Sequence, residues 1–200
     1  MSTRDDILAR IRKSQPAPSP LPDVPMFDAG ATPSLDAFKA GVERMGGKVV
    51  AIPGDGSVDA LVRTLFPAAK VICSAVSEVH GNRPLADVRT PAALDDVDVG
   101  VVRAEFGVAE TGSVLLTEDN FKVNALGFLA QHLVVLLDPA RIVTNMHRAY
   151  QNPLLRTARY AVFMTGPSAT ADIEGVLIHG AQGIRSLTVI LVAAGVTDAR

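Results

Sequence analysis

Val97-Asp98-Val99-Gly100-Val101-Val102 leads into Arg103-Ala104-Glu105-Phe106-Gly107-Val108, then into Ala109-Glu110-Thr111-Gly112-Ser113, and closes with Val114-Leu115-Leu116-Thr117. Short apolar runs, rich in valine, enclose one polar turn. Runs this short and this continuously apolar read as strands buried on both faces. The turn brings together an acid, two hydroxyls and a glycine. Gly112 permits a tight turn or the close approach of a ligand. Thr111 and Ser113 can donate or accept hydrogen bonds, and Glu110 can serve as acceptor, base or nucleophile.

The pattern repeats outward from this centre. Apolar runs at 48–52, 70–74, 132–137, 159–165 and 186–192 read as further strands. Leu35, Phe38, Val42 and Met45 recur at helical spacing, and Gly46-Gly47 ends that helix. Ser57 caps a second helix carrying Val58, Leu61, Val62, Leu65 and Phe66. One or two helical turns are expected at 124–129, a helix over 139–150, and another to about 157. Residues 77–95, with Gly81, Pro84 and Pro91, are polar and irregular. Helices alternating with buried strands predict an α/β fold, with a mostly parallel sheet covered by helices on both faces. In such sheets ligands gather beyond the carboxyl ends of the strands. The turn at 109–113 follows an apolar run. So does a second polar cluster, Gly166-Pro167-Ser168-Ala169-Thr170-Ala171-Asp172-Ile173-Glu174, and both turns are expected to face one pocket.

Two parts are expected along the chain. Residues 1–30 form an arm: a short helix over 3–13 with Ile7, Leu8 and Ile11 on one stripe, then a linker holding Pro16, Pro18, Pro20, Pro22 and Pro25. That proline density excludes helix and sheet. Residues 31–200 form the α/β domain, long enough for a sizeable core.

Composition removes several function classes. A net charge of -2 advertises no basic surface for nucleic acid, and 4% aromatics leave few platforms for base stacking. The one cysteine, Cys73, cannot form an intrachain disulfide or an all-cysteine iron–sulfur site within these residues. In Val71-Ile72-Cys73 it reads as a small buried hydrophobe. The charged start, Arg4-Asp5-Asp6, gives no signal peptide, and no apolar run is long enough for a membrane span. The expected location is the cytoplasm. No Gly-x-Gly-x-x-Gly fingerprint follows the first strand, and there is no P-loop.

Asp98-Val99-Gly100, the Ala109–Ser113 turn and the Gly166–Glu174 segment, followed by Leu177-Ile178-His179-Gly180 and Leu187-Thr188-Val189-Ile190-Leu191, resemble the LUD domain family over about residues 35–193. Within it they look most like the lactate utilization C group. The resemblance implies a fold related to the CoA-transferase and ribose-5-phosphate-isomerase group. It also implies a role in oxidising L-lactate to pyruvate alongside iron–sulfur subunits, which would carry the clusters that this chain lacks. Ala169 stands where the family commonly has arginine, which removes a bidentate partner for a carboxylate or phosphate. Ser113 replaces the usual threonine and keeps the hydroxyl.

Glu110 is the candidate catalytic residue; its structural reading is a carboxylate that holds its turn by accepting backbone N–H bonds. Thr111, Gly112, Ser113, Gly166, Ser168, Thr170, Asp172 and His179 are the candidate ligand-binding residues. Asp172 and Glu174 read as acids opening a helix, where negative charge is favoured, while Gly166, Ser168 and Thr170 would present N–H and hydroxyl groups to a ligand. His80, His132, His147 and His179 show no metal-ligand spacing, so no metal site is expected. His132 reads as structural and His147 as solvated; His179, before Gly180, is the one carried as a site residue.

Two functions follow. The first is an accessory or substrate-binding subunit of an iron–sulfur L-lactate-oxidising system, with no cofactor in this chain and a small carboxylate as ligand. The second is a stand-alone enzyme of the CoA-transferase or isomerase type acting on a small acid through Glu110. Homo-oligomerisation is left open.

Overall fold

The apolar runs become strands, those at 99–102, 114–116, 133–137 and 187–190 buried along their whole length, and their alternation sorts the core into layers. A computed structural model describes residues 3–54, 56–172 and 174–193. In chain order the elements are α1 (Thr3–Lys13), α2 (Leu35–Arg44), β1 (Lys48–Ala51), α3 (Val58–Leu65), β2 (Ile72–Ser74), β3 (Val99–Arg103), β4 (Phe106–Val108), β5 (Ser113–Thr117), α4 (Glu118–Phe121), α5 (Leu126–Leu129), β6 (His132–Leu137), β7 (Ile142–Val143), α6 (Met146–Tyr150), α7 (Leu154–Thr157), β8 (Ala161–Met164), β9 (Ala169–Thr170), β10 (Ile178–His179) and β11 (Ser186–Leu191). The irregular stretch at 77–95 contains only single turns of 3-10 helix, at Leu85–Asp87 and Pro91–Leu94.

The main sheet is five-stranded, in the order β1-β11-β6-β3-β2, and every pairing in it is parallel. Its two faces follow from the period of two along each strand. Val99, Val101, Val134, Leu136 and Ile190 face α3, whose Val58, Leu61 and Val62 cover them. Val102, Leu133, Val135, Leu137, Leu187 and Val189 face the other way, toward Phe38 and Val42 of α2, Phe121 of α4 and Leu126 of α5. Each such side chain contributes roughly 1.5–3 kcal/mol through burial. The sequence-derived α/β class and the parallel sheet are both realised.

A second sheet shares that other face. It is four-stranded, in the order β7-β4-β5-β8, with β4–β5 and β5–β8 antiparallel and β4–β7 parallel. Val114 and Leu116 turn inward to the main core, while Phe106, Val108, Leu115 and Phe163 turn outward, beneath Met146 and Ala149 of α6 and Leu154 and Leu155 of α7. The chain changes sheets between two residues: the Ala104 N–H donates to Leu136 of the main sheet, and the Glu105 N–H donates to Leu115 of the second.

Three local expectations change. Residues 139–150 are not one helix. Asp138 accepts from the Ala140 N–H and starts a 3-10 turn, Ile142 and Val143 pair with β4 as β7, and only Met146–Tyr150 is helical. The Asp172–Glu174 acids open no helix. Thr170 and Ala169 instead pair with Ile178 and His179 in a β9–β10 hairpin, and the intervening turn holds Glu174 and Gly175 at positive φ. His147 is half-buried rather than solvated, with its ring centroid 4.8 Å from that of Phe27.

Along the arm, α1 buries no residue, and Ile7 and Ile11 are exposed. Residues 26–28 lie against α6: Met26 O accepts from the Asn145 side chain, and Asp28 pairs with Arg148. Among the described residues no helix is long and apolar enough to cross a membrane.

Candidate functional site

Both polar turns belong to the second sheet, not to the carboxyl ends of the main one. The first joins β4 to β5, and the second follows β8. The switch of sheets at Ala104–Glu105 moves everything after it by one layer. What brings the turns together is α2. Gly112 has φ +71°, and a Cβ on it would overlap Val42 N and the carbonyl carbon of Gly41. A Cβ on Gly41 would reciprocally lie 2.7 Å from Gly112 N. Gly166, at φ +67°, packs just as closely on the Met45 carbonyl, where α2 ends. Only glycine satisfies both the positive φ and the approach.

Hydroxyls link the two turns directly. Thr111 Oγ1 and Ser113 Oγ are 2.7 Å apart, and Ser113 Oγ bonds in turn to Thr165 Oγ1, just before Gly166. Ser113 is buried. The chain Thr111–Ser113–Thr165 therefore runs from the first turn to the wall of a cavity of about 250 Å³. That cavity is lined by Phe128, residues 162–168 and residues 182–184. The expectation of one pocket facing both turns is met on one side only: the second turn lines the cavity, and the first reaches it through Ser113.

Glu110 is exposed and is not among the cavity walls. Its Oε2 accepts the Met146 N–H at 2.9 Å, and its own N–H donates to Thr144 O. It thus fixes the first turn to the start of α6, beside Asn145, whose side chain accepts from the Arg148 N–H.

Ser168 is fixed by its backbone, donating to Ile184 O and accepting from the Gly180 N–H at 2.7 Å. Its side chain borders the cavity opposite Gly183. Thr170 Oγ1 accepts from the Asp172 N–H at 3.3 Å, a bond inside its own turn, and Asp172 is exposed. His179 is exposed on β10; a Cβ on Gly46 would lie 3.6 Å from its Cε1 and 3.4 Å from Pro167 Cδ, so the hairpin rests on the end of α2. Ala169 is exposed, and among the described residues no arginine or lysine lines the cavity.

The carboxyl end of β3 carries residues that sequence reasoning passed over. Arg103 pairs with Glu78, and Glu105 accepts from Asn120 at 2.8 Å and lies 3.4 Å from Arg141. Ser77, Glu78, Arg103, Asp119 and Asn120 border a cavity of about 280 Å³ there. The available signal was the pair of charges at Arg103 and Glu105, set between apolar runs at the position where the fold class gathers ligands.

These observations define an α/β protein with a parallel sheet, a second sheet stacked on it, and paired glycine turns clasping one helix. A family model described as the LUD domain matches residues 81–192, more than half of the chain, and the chain belongs to that family. Lactate utilization protein C of Geobacillus thermodenitrificans is 24% identical over 201 residues, covering 95% of this chain and 80% of the relative. Its namesake in Geobacillus kaustophilus is 26% identical over 167 residues, covering 78% and 67%. Among solved structures, a DUF162 family protein from Deinococcus radiodurans superposes with a TM-score of 0.62 at 16% identity, over 80% of this chain and 96% of that one. That likeness concerns the fold.

Proposed function

We propose that this chain works in lactate utilization, as an accessory or substrate-binding subunit of a system that oxidises L-lactate to pyruvate with iron–sulfur clusters held by partner subunits. The observation that carries the reading is a likeness to lactate utilization protein C along 95% of the chain. The donor set here does not fit a cluster: the sole cysteine is buried in β2, and no group of three metal-binding side chains occurs among the described residues. No redox step is therefore assigned to this chain.

Its own contribution is the cavity beside the second turn. A space of about 250 Å³ suits a small carboxylic acid rather than a nucleotide. Thr165 and Ser168 offer hydroxyls, and Phe128, Val162 and Met164 offer an apolar wall. With alanine at 169, the acid is held by neutral donors, so binding is weak and orienting. Helix α1 of the arm, in which no residue is fully buried on this chain, is the element that meets a partner in this reading. Glu110 serves α6 in this reading, which gives the alternative, a CoA-transferase or isomerase-like enzyme with Glu110 as nucleophile or base, little support.

The test is growth on L-lactate of a deletion strain of the source organism, complemented with wild type, Glu110→Gln, Ser168→Ala or Asp172→Asn. Loss of growth on deletion is expected, with restoration by wild type and Glu110→Gln and impaired growth with Ser168→Ala. Asp172→Asn should restore growth, because this carboxylate lies outside the cavity walls. Unchanged growth on deletion removes the lactate reading. Failure of a folded Glu110→Gln protein revives the enzyme reading.

A further inference from the structure

The amino ends of the parallel strands enclose a larger opening than either cavity above, about 510 Å³. Lys48 opens β1, Asp98 precedes β3, Gln131 precedes and His132 opens β6, and Arg185 precedes and Ser186 opens β11; all six line this space. Its floor is the segment 65–69, with Phe66 and Pro67. Strand register brings the polar starts together, since His132 is paired with Ser186 on one side and Val99 on the other.

The groups differ in how far they are already engaged. His132 Nδ1 lies 2.8 Å from Ser186 Oγ, and the ring packs on Phe66 with centroids 4.9 Å apart. The imidazole is fixed, and among the described residues its Nε2 takes part in no hydrogen bond. Asp98 Oδ2 accepts from the Lys70 and Val71 N–H groups at 2.7 and 2.9 Å, which ties its charge to the backbone. Among the described residues, Lys48 and Arg185 take part in no ion pair. The Arg185 backbone is also held in place, while its side chain is exposed: its N–H donates to Gln131 O at 2.7 Å, and a Cβ on Gly180 would lie 3.1 Å from its Cα. Two cations outside any ion pair among the described residues, a fixed imidazole and a hydroxyl thus border one space over an apolar floor, beside the backbone-tied Asp98 carboxylate.

We propose that this cavity binds a small anion, a carboxylate or phosphate head on a short apolar body, with Lys48 and Arg185 serving the head and Phe66 and Pro67 the body. The site is separate from the cavity beside Ser168 and stands whether or not the lactate reading does. Charge-assisted bonds to Arg and Lys supply the attraction. Burial, and then the Arg185 charge, hold the His132 pKa below its ordinary value, with Asp98 opposing. Near neutral pH the ring is therefore favoured in its neutral form, and a bound anion raises the proton affinity of that ring. By linkage, binding strengthens as pH falls toward the His132 range.

The experiment follows the His132 Cε1–H resonance by NMR, assigned among the four histidines with a His132→Gln control. The intact chain is titrated with inorganic phosphate, phenyl phosphate and benzoate. Saturable His132 shifts with phenyl phosphate or benzoate are expected, and the tighter of the two identifies the head group. Inorganic phosphate, lacking the body, should bind more weakly. The Lys48→Ala/Arg185→Ala chain, altered only at exposed residues, should keep its melting temperature and bind at least about tenfold more weakly. Absence of a His132 shift with every probe, or unchanged affinity in the double variant, overturns the proposal.

Discussion

Gly112 and Gly175 share a φ of +71°, yet their surroundings are opposite. A Cβ on Gly112 runs into the backbone of α2, while one on Gly175 meets nothing within 4 Å. Gly175→Ala should cost about 1 kcal/mol, from backbone strain alone. Gly112→Ala adds displacement of a packed helix and should cost roughly 3 kcal/mol or more. Urea unfolding of both variants is the check; equal costs would mean that α2 and the first turn are not in contact. Glu110 makes a subtler case. Glu110→Gln keeps an oxygen for the Met146 N–H and should leave stability nearly unchanged, whereas Glu110→Ala should cost about 1 kcal/mol. Glu118 gives the pH dependence. The Arg159 N–H first, then its own backbone and the Tyr160 N–H, hold its pKa below the ordinary 4.5. A lowered folded pKa stabilises above the unfolded value, and that contribution is lost as pH falls through the folded one. Glu118→Gln should therefore lower stability near neutrality and make the acid limb of the stability curve shallower below pH 4.5, so that the two proteins converge in acid. Acid unfolding monitored by circular dichroism reads this directly.

At the scale of elements, the main sheet was legible because burial on both faces leaves continuous apolar runs, such as Leu133–Leu137, with little ambiguity. Ser57 and Gly46-Gly47 marked helix ends through local chemistry, and the structure uses both: Ser57 Oγ accepts from the Ala60 N–H, and Gly46 takes φ +82°. The second sheet was not legible. Nothing in Val114–Thr117 states that its partners are Phe106–Val108 and Ala161–Met164 rather than strands of the main sheet. The choice is made where Ala104 and Glu105 bond to different layers. Asp172 and Glu174 carried the right charges for a helix start, but Glu174 and Gly175 both take positive φ and turn the chain back as a hairpin. Of the candidate site, the turns and their glycines were readable, because positive-φ positions tolerate few residues. Ser168 was readable as well. The hydroxyl bridge from Ser113 to Thr165 was not, since it spans 52 positions. Helix α1 yields a prediction of its own: it buries no residue, so deleting residues 1–13 should change the unfolding free energy by less than about 0.5 kcal/mol. A larger loss in denaturant titration would show that α1 packs on the domain.

For the whole molecule, the proposed function amounts to a division of labour in which this chain would bind or position and other polypeptides would carry electrons. Cys73 is buried in the same core cluster as Leu94 and Val102, and burial pushes its thiol pKa up, so it offers no reactive thiolate. The measurement that tests this most directly is L-lactate-dependent reduction of an artificial electron acceptor under anoxic conditions. The purified chain is compared with the assembly that copurifies with it from lactate-grown cells. The account predicts no turnover by the chain alone and turnover by an assembly containing iron–sulfur proteins. Lactate oxidation by the purified chain alone, or an active assembly that keeps its full rate once this chain is removed, would contradict it.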